Sequence, residues 1–297
     1  MSVESLRDVT RVMDNLSPEQ AQTLDEWSEQ VQTVVRTTVE QGGPAARRVK
    51  NWLNGVWLGH ALHPALTDMV IGAWWTGFLL DVFGPRRAAD MALSVGVLAA
   101  VPTALSGAAD WSDSEGEQRR GGLVHALLNS TALVCMLGSL FARRVNQRVF
   151  GFGLSTIGLA LTSASAWLGG ELVFRQGTNV NRNAWLPAVD EFHVVASADA
   201  LEPGKLVAAE LQIEGQTVPL VLLKKARSVL ALSAVCSHWG GPLAEGKLVD
   251  GDCVECPWHA SRFSMNNGSV QQGPATAPQP VFEARVRGGN VEVRRRV

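Results

Sequence analysis

Two short stretches decide how this chain is read: Cys236-Ser237-His238-Trp239-Gly240-Gly241-Pro242-Leu243 and Cys256-Pro257-Trp258-His259-Ala260-Ser261-Arg262-Phe263. Each offers one thiol and one imidazole at close spacing. Thiolate suits iron–sulfur clusters and zinc, and imidazole suits zinc, copper and iron. On ligand types alone, a Cys2His2 zinc site and an iron–sulfur site both remain open.

The surroundings of these loops are β-rich. Phe192–Val195, Leu206–Leu211, Val218–Leu223, Val229–Leu232, Val281–Val286 and Val291–Val293 read as strands. Glu202-Pro203-Gly204, Glu214-Gly215, Asp250-Gly251, Asn267-Gly268 and Gly289-Asn290 separate them as turns. Residues 190–297 therefore form an all-β domain of ordinary size.

The spacing C-x-H, seventeen residues, C-x-x-H resembles the signature of the Rieske family. The likeness runs on through Gly240, Pro242-Leu243, Gly246, Pro257, Phe263, Gly268 and Gly273-Pro274. It implies a [2Fe–2S] cluster, with Cys236 and Cys256 on one iron and His238 and His259 on the other. The family's respiratory branch has a further cysteine in each loop. Gly241 and Trp258 stand there instead, while Ser261 matches a conserved serine and Phe263 replaces a tyrosine. The resemblance is thus to Rieske-type ferredoxins. Loss of a donor near the sulfurs disfavours the reduced, more negative state. The expected potential falls at the lower end of a range of roughly −150 to +300 mV. Cys253 is expected to be a buried strand residue and His193 a strand residue with no metal role.

Further upstream the pattern changes. The chain has 297 residues, a net charge of −2 and 46% hydrophobic residues. That charge gives no reason to expect nucleic acid as a partner. The average conceals four apolar runs near Ala65–Phe83, Ala88–Ala109, Gly121–Ala142 and Val149–Gly169. Each meets the length of about 20 residues that a membrane-spanning helix needs. Gly96, Ala99, Ala100, Ser106, Gly107, Gly151, Gly153, Ser163 and Ala164 allow close helix packing. A soluble bundle would need a polar outer face that these runs lack. Trp52, Trp57, Trp111, Trp167 and Trp185 flank helix ends on one side, as an interfacial belt would.

The fold class expected is therefore multidomain: an N-terminal α-helical membrane bundle of four transmembrane helices and a C-terminal all-β Rieske domain. The divisions are a polar and amphipathic helical region at 1–50, the membrane domain at 51–170, a polar linker at 171–189 and the β domain at 190–297. In the first, Ser17-Pro18-Glu19-Gln20 reads as an N-cap, a proline at N1 and a capping box. Leu24, Trp27, Val31, Val34 and Val35 follow at helical spacing, and Val49, Trp52, Leu53, Val56 and Trp57 form a second amphipathic stretch. Either helix is suited to lie on a membrane or to cover its own protein.

Gly59-His60-Ala61-Leu62-His63-Pro64 resembles the G-H-x-x-H-P motif of a family of bacterial four-helix membrane proteins, over about Leu53–Gly170. His60, His63 and Asp68 precede or open the first span, Asp110 ends the second and His125 lies early in the third. Ionisable groups near a membrane interior are a functional hypothesis by default. His60, His63 and His125 are candidates for holding haem or another metal, for carrying protons or for lining a quinone site. The alternative is that they cap helix ends. Asp81 and Asp90 are expected at an interface.

The function expected is a membrane-anchored carrier of single electrons, with a redox protein partner (a reductase or oxidase), membrane lipid and quinone as its contacts. The alternative is a redox-sensing or structural membrane protein. A Rieske oxygenase would need a separate mononuclear iron site, and no histidine follows His259. No apolar segment after a basic start suggests a cleaved signal. A bacterial inner membrane is expected. The loop arginines Arg86, Arg87, Arg143, Arg144 and Arg148 favour their own side as cytoplasmic, whereas cluster assembly favours a cytoplasmic Rieske domain, which is the side expected.

Overall fold

A computed structural model describes residues 16–213, 215–226 and 228–295. The polar stretch 1–15 and Glu214 of the Glu214-Gly215 turn lie outside the described residues. The chain divides into two compact units. One comprises the residues up to Val49 with Leu62–Thr178, and the other comprises Lys50–Ala61 with Asn179–Val297.

The first unit is helical. Helix α1 (Pro18–Gln41) opens with the capping box expected. The Gln20 amide donates to Ser17 Oγ at 3.2 Å, and the Ser17 amide donates to Gln20 Oε1 at 2.9 Å. Gly43, with φ +60°, begins α2 (Gly43–Asn54). Four long helices follow: α3 (Leu62–Phe83), α4 (Arg86–Trp111), α5 (Gly116–Arg144) and α6 (Arg148–Gly170), the last continued by a π-helical turn to Arg175. All four are long and apolar enough to cross a membrane. Their inward faces meet in a core of Val70, Trp74, Leu93, Ala132, Met136 and Leu159. Leu98, Val134, Phe141 and Val149 point outward and are exposed, as lipid-facing residues must be.

The α3–α4 and α5–α6 hairpins repeat one another. The step of 62 residues that separates Asp81 from Arg143 also takes Trp74 to Met136, Gly96 to Gly158, His63 to His125, Thr103 to Ser165 and Gly107 to Gly169. Packing follows the same step. A Cβ on Gly96 would overlap the Trp74 ring, and one on Gly158 would come within 3.1 Å of Met136 Cε.

Helix α1 meets this unit through polar groups. Gln32, fully buried, donates to the Trp111 and Ser114 carbonyls at 2.8 and 3.0 Å, and Arg36 donates to the Ser112 carbonyl at 3.0 Å. Asp25 and Glu29 pair with Arg119, and Asp25 with Arg120. Trp27, Val31 and Val34, the apolar stripe, are left exposed.

The second unit is built on two antiparallel sheets. The larger runs β1-β10-β9-β4-β3-β2, with β1 at Val189–Ser197, β2 at Leu206–Ile213, β3 at Gln216–Lys224, β4 at Val229–Ser233, β9 at Val281–Arg287 and β10 at Asn290–Arg295. Each covers one of the six strands read from the sequence. The smaller sheet joins four three-residue strands: β5 (Lys247–Val249), β6 (Cys253–Glu255), β7 (Arg262–Ser264) and β8 (Val270–Gln272). Strands so short show no alternation, and the sequence pattern did not reveal them. Leu220, Leu222, Val291 and Val293 centre one core, and Val254, Phe263, Leu243 and Met265 centre a second. His193 pairs with Val293 in the β1–β10 ladder. Cys253 opens β6 and is half-buried rather than fully buried.

Candidate metal centre

The two Cys–His loops fold alike. The Cys236 amide donates to the Gly241 carbonyl at 2.9 Å, and the Gly240 amide returns to the Cys236 carbonyl at 2.9 Å. In the other loop Cys256 donates to the Ser261 carbonyl at 2.8 Å, and Ala260 returns to the Cys256 carbonyl at 3.1 Å. The residue that closes each loop is left-handed: Gly240 at φ +83° and Ala260 at φ +55°. Ala260 holds a conformation that disfavours side chains other than glycine, so its loop geometry is imposed by these surroundings.

The four candidate side chains converge. Cys236 and Cys256 are both buried, and neither is in a disulfide. Their sulfurs hydrogen-bond to each other, which raises the Cys236 thiol and lowers that of Cys256; burial adds to the first shift and opposes the second. Backbone amides of His238 and Trp239 point at the Cys236 sulfur, and those of Trp258 and His259 at the Cys256 sulfur, favouring thiolate at both. The His238 and His259 rings lie with centroids 5.2 Å apart at 84°. Burial holds His238 well below the usual imidazole range, helped by His259 and by the positive charges of Lys50 and Arg182. It is therefore neutral, the form that binds metal. Its Nδ1 atom is buried with no hydrogen-bond partner among the described residues. An orphaned buried nitrogen is costly unless something occupies it. Two thiols, two imidazoles and that bare Nδ1 fit a binuclear iron–sulfur group.

A third segment braces both loops. The Ala275 amide donates to Ser261 Oγ at 3.0 Å, and Ser237 Oγ donates to the Ala277 carbonyl at 2.7 Å. The Gly273 amide donates to Asn51 Oδ1 at 3.1 Å, so the end of α2 covers its own protein here. Below the first loop, Asn183 donates to the Val235 carbonyl at 2.8 Å and accepts from Ser233 Oγ at 2.7 Å. Gln279 also donates to Val235, at 2.9 Å. Asn51, Asn183 and Gln279 carry no motif and escape a reading of the sequence alone. Of the two loop tryptophans, Trp239 flanks both imidazoles, at 5.9 and 6.3 Å, while Trp258 is 57% exposed.

The membrane candidates are placed differently. His63 and His125 come together with ring centroids 6.1 Å apart. His60 is exposed, with Nδ1 3.0 Å from the carbonyl of its neighbour Ala61. Asp81 and Asp90 both pair with Arg143 and Arg148.

Comparison with known proteins agrees with this geometry. Residues 191–283 match the Rieske [2Fe-2S] domain, and residues 59–182 match a predicted membrane protein family, DUF2231. Ferredoxin CarAc of Metapseudomonas resinovorans is 32% identical over 99 residues, which span 33% of this chain and 89% of that protein. The ferredoxin subunit of anthranilate 1,2-dioxygenase from Burkholderia cepacia is 31% identical, over 35% of this chain and 91% of its own length. That of biphenyl dioxygenase from Pseudomonas sp. (strain KKS102) is 29% identical, over 34% and 90%. Through its C-terminal third, which is similar to ferredoxin subunits, the chain belongs to the Rieske [2Fe–2S] family, with a DUF2231 membrane domain ahead of it in the same polypeptide.

Proposed function

We propose that the protein is a membrane-anchored electron carrier that passes single electrons between a redox protein partner and the membrane. Cys236, His238, Cys256 and His259 would hold the [2Fe–2S] cluster. The observation that carries this is the pairing of two buried, hydrogen-bonded thiols with two adjacent imidazoles, one of which presents a bare Nδ1. Bound there, the cluster supplies a one-electron couple whose potential is raised by neutral imidazole ligands.

The chain's own residues set the conditions. Amides of His238, Trp239, Trp258 and His259 aim partial positive charge at the two sulfurs. Lys50 and Arg182 add full charges near His238. Trp239 packs beside both imidazoles. The ferredoxin subunits that resemble this domain carry dioxygenase names, which supports a reductase or an oxidase as the partner. The outward apolar stripe of α1 supports contact with membrane lipid. We place the Rieske domain on the cytoplasmic side of a bacterial inner membrane, since a folded cluster domain is completed where clusters are assembled. The membrane domain would supply a second redox centre or a quinone site.

Electron paramagnetic resonance on the detergent-purified, dithionite-reduced protein tests the assignment. A rhombic signal with two irons per chain is expected. Zinc without iron would overturn the cluster and the electron-transfer reading with it.

A further inference from the structure

His63 and His125 stand at equivalent positions of the two repeated hairpins, and the backbone carbonyl and glycine that each ring meets are repeated too. His63 Nδ1 lies 2.9 Å from the Thr103 carbonyl, and His125 Nδ1 lies 2.9 Å from the Ser165 carbonyl; each contact spans 40 residues. A carbonyl oxygen only accepts, so in both rings Nδ1 carries the proton and Nε2 keeps its lone pair. Each ring also rests on a bare helix backbone. A Cβ on Gly107 would come within 2.7 Å of His63 Cε1, and one on Gly169 within 3.2 Å of His125 Cε1. All four spanning helices thus contribute, α3 and α5 through the imidazoles, α4 and α6 through a carbonyl and a glycine.

We infer that His63 and His125 form a two-imidazole site for one transition-metal centre, set between the repeated hairpins. A metal-binding histidine characteristically donates its other ring N–H to a backbone carbonyl, which fixes tautomer and orientation. Both rings have that support here. The ring centres lie 6.1 Å apart, within reach of one ion held at about 2.0 Å from a nitrogen of each ring. Neutral imidazole ligates haem iron as well as bare zinc or copper. Neither histidine is used by the cluster site.

The repeat breaks at two places. Ser165 Oγ donates to the His125 carbonyl at 3.1 Å and lies 2.9 Å from His125 Nδ1, whereas Thr103 Oγ1 donates to the Ala99 carbonyl. Asn129 Nδ2 lies 3.1 Å from His125 Nε2 and donates to it. The residue at the same point of the first hairpin, Thr67, instead donates to the Pro64 carbonyl at 2.6 Å. Metal binding therefore turns the Asn129 amide away from the ring.

The inference deepens the reading above by locating the second centre, but it is tested by metal content and stands apart from the cluster. Full-length protein in detergent is analysed as purified and after titration with hemin, zinc(II) or copper(II). The expected result is one haem, or one metal ion beyond the two cluster irons, per chain. A low-spin, six-coordinate optical spectrum identifies haem; metal analysis without haem bands identifies the bare ion. His63→Ala and His125→Ala should each lose it while the rhombic cluster signal persists. Failure of the wild type to take up any of the three at one per chain overturns the inference, as does retention in either variant. Loss of the cluster signal alone, with membrane metal intact, would count against the cluster assignment instead.

Discussion

Arg143 grips both carboxylate oxygens of Asp81, at 2.8 and 2.5 Å, and the two side chains are only 2% and 3% exposed. They occupy equivalent positions of the repeated hairpins, one acidic and one basic. Asp90 and Arg148 close the network, with Arg148 3.1 Å from Asp90 and 2.8 Å from Asp81. Four helices are thereby tied at one end of the bundle. Removing one partner of a buried pair strands the other charge and costs about 3–5 kcal/mol. Arg143→Met should therefore lower the thermal midpoint of the detergent-solubilised protein by several degrees and leave the cluster signal unchanged. An unchanged midpoint would mean that Arg148 alone satisfies Asp81.

Gly241 has no room for a side chain. A Cβ there would lie 2.7 Å from Cys256 Sγ and 3.1 Å from the Trp258 ring. Gly241→Ala should displace the Cys256 loop, so that iron content falls below two per chain and the rhombic signal is lost or broadened. The α-helical circular dichroism of the membrane unit should be unaffected. Full iron retention would show that Trp258, which is more than half exposed, swings away at little cost.

The imidazole ligands can be tested by a conservative exchange. In His259→Cys, a thiolate replaces a neutral ligand and adds negative charge to the site. The reduction potential should fall towards the values of all-cysteine clusters, from the Rieske range down towards about −400 mV. A surviving cluster with unchanged potential would remove His259 from the ligand set.

Much of this was legible in the sequence, for identifiable reasons. The spacing of Cys236, His238, Cys256 and His259 is a local signal, because each loop supplies two side chains. The four spans are legible because lipid demands about 20 apolar residues in a row. Ser17 and Gln20 announce the first helix by a reciprocal bond across one turn. Asn51 gave no such sign, since its partner Gly273 lies 222 residues away. The hairpin repeat was equally hidden: Trp74 and Met136, or Asp81 and Arg143, share position and packing but not chemistry. Strands β5–β8 follow loop geometry rather than their own composition, being three residues each.

Phe263 is fully buried and shares a core with Cys236 and Cys256. Phe263→Tyr adds one donor to that core. Hydrogen bonding to a cluster sulfur stabilises the reduced state, so the potential should rise. The extra oxygen also crowds a packed site, at a cost on the order of 1–3 kcal/mol. A raised potential with slightly lower stability is the expected pair of results. Lower stability with no change in potential would mean that the ring edge points away from the sulfurs.

Lys50 offers a test that leaves the ligands and the core untouched. Its charge acts on His238 together with that of Arg182, and a nearby positive charge favours the more negative, reduced form. Lys50→Glu should therefore lower the potential. The shift should be a fraction of the roughly 59 mV that corresponds to a tenfold change in a one-electron equilibrium. It should shrink as salt is raised, because Lys50 is only half-buried and a charge open to solvent is screened beyond a Debye length of about 10 Å at 0.1 M. Lys50→Arg should restore the wild-type value. The neighbouring contact gives a contrast: Asn51→Ala removes a neutral acceptor from the Gly273 amide and should loosen the bracing loop without a salt-dependent shift. If Lys50→Glu and Asn51→Ala gave the same salt-independent change, the end of α2 would act on the site through packing alone, and the electrostatic role of Lys50 would be refuted.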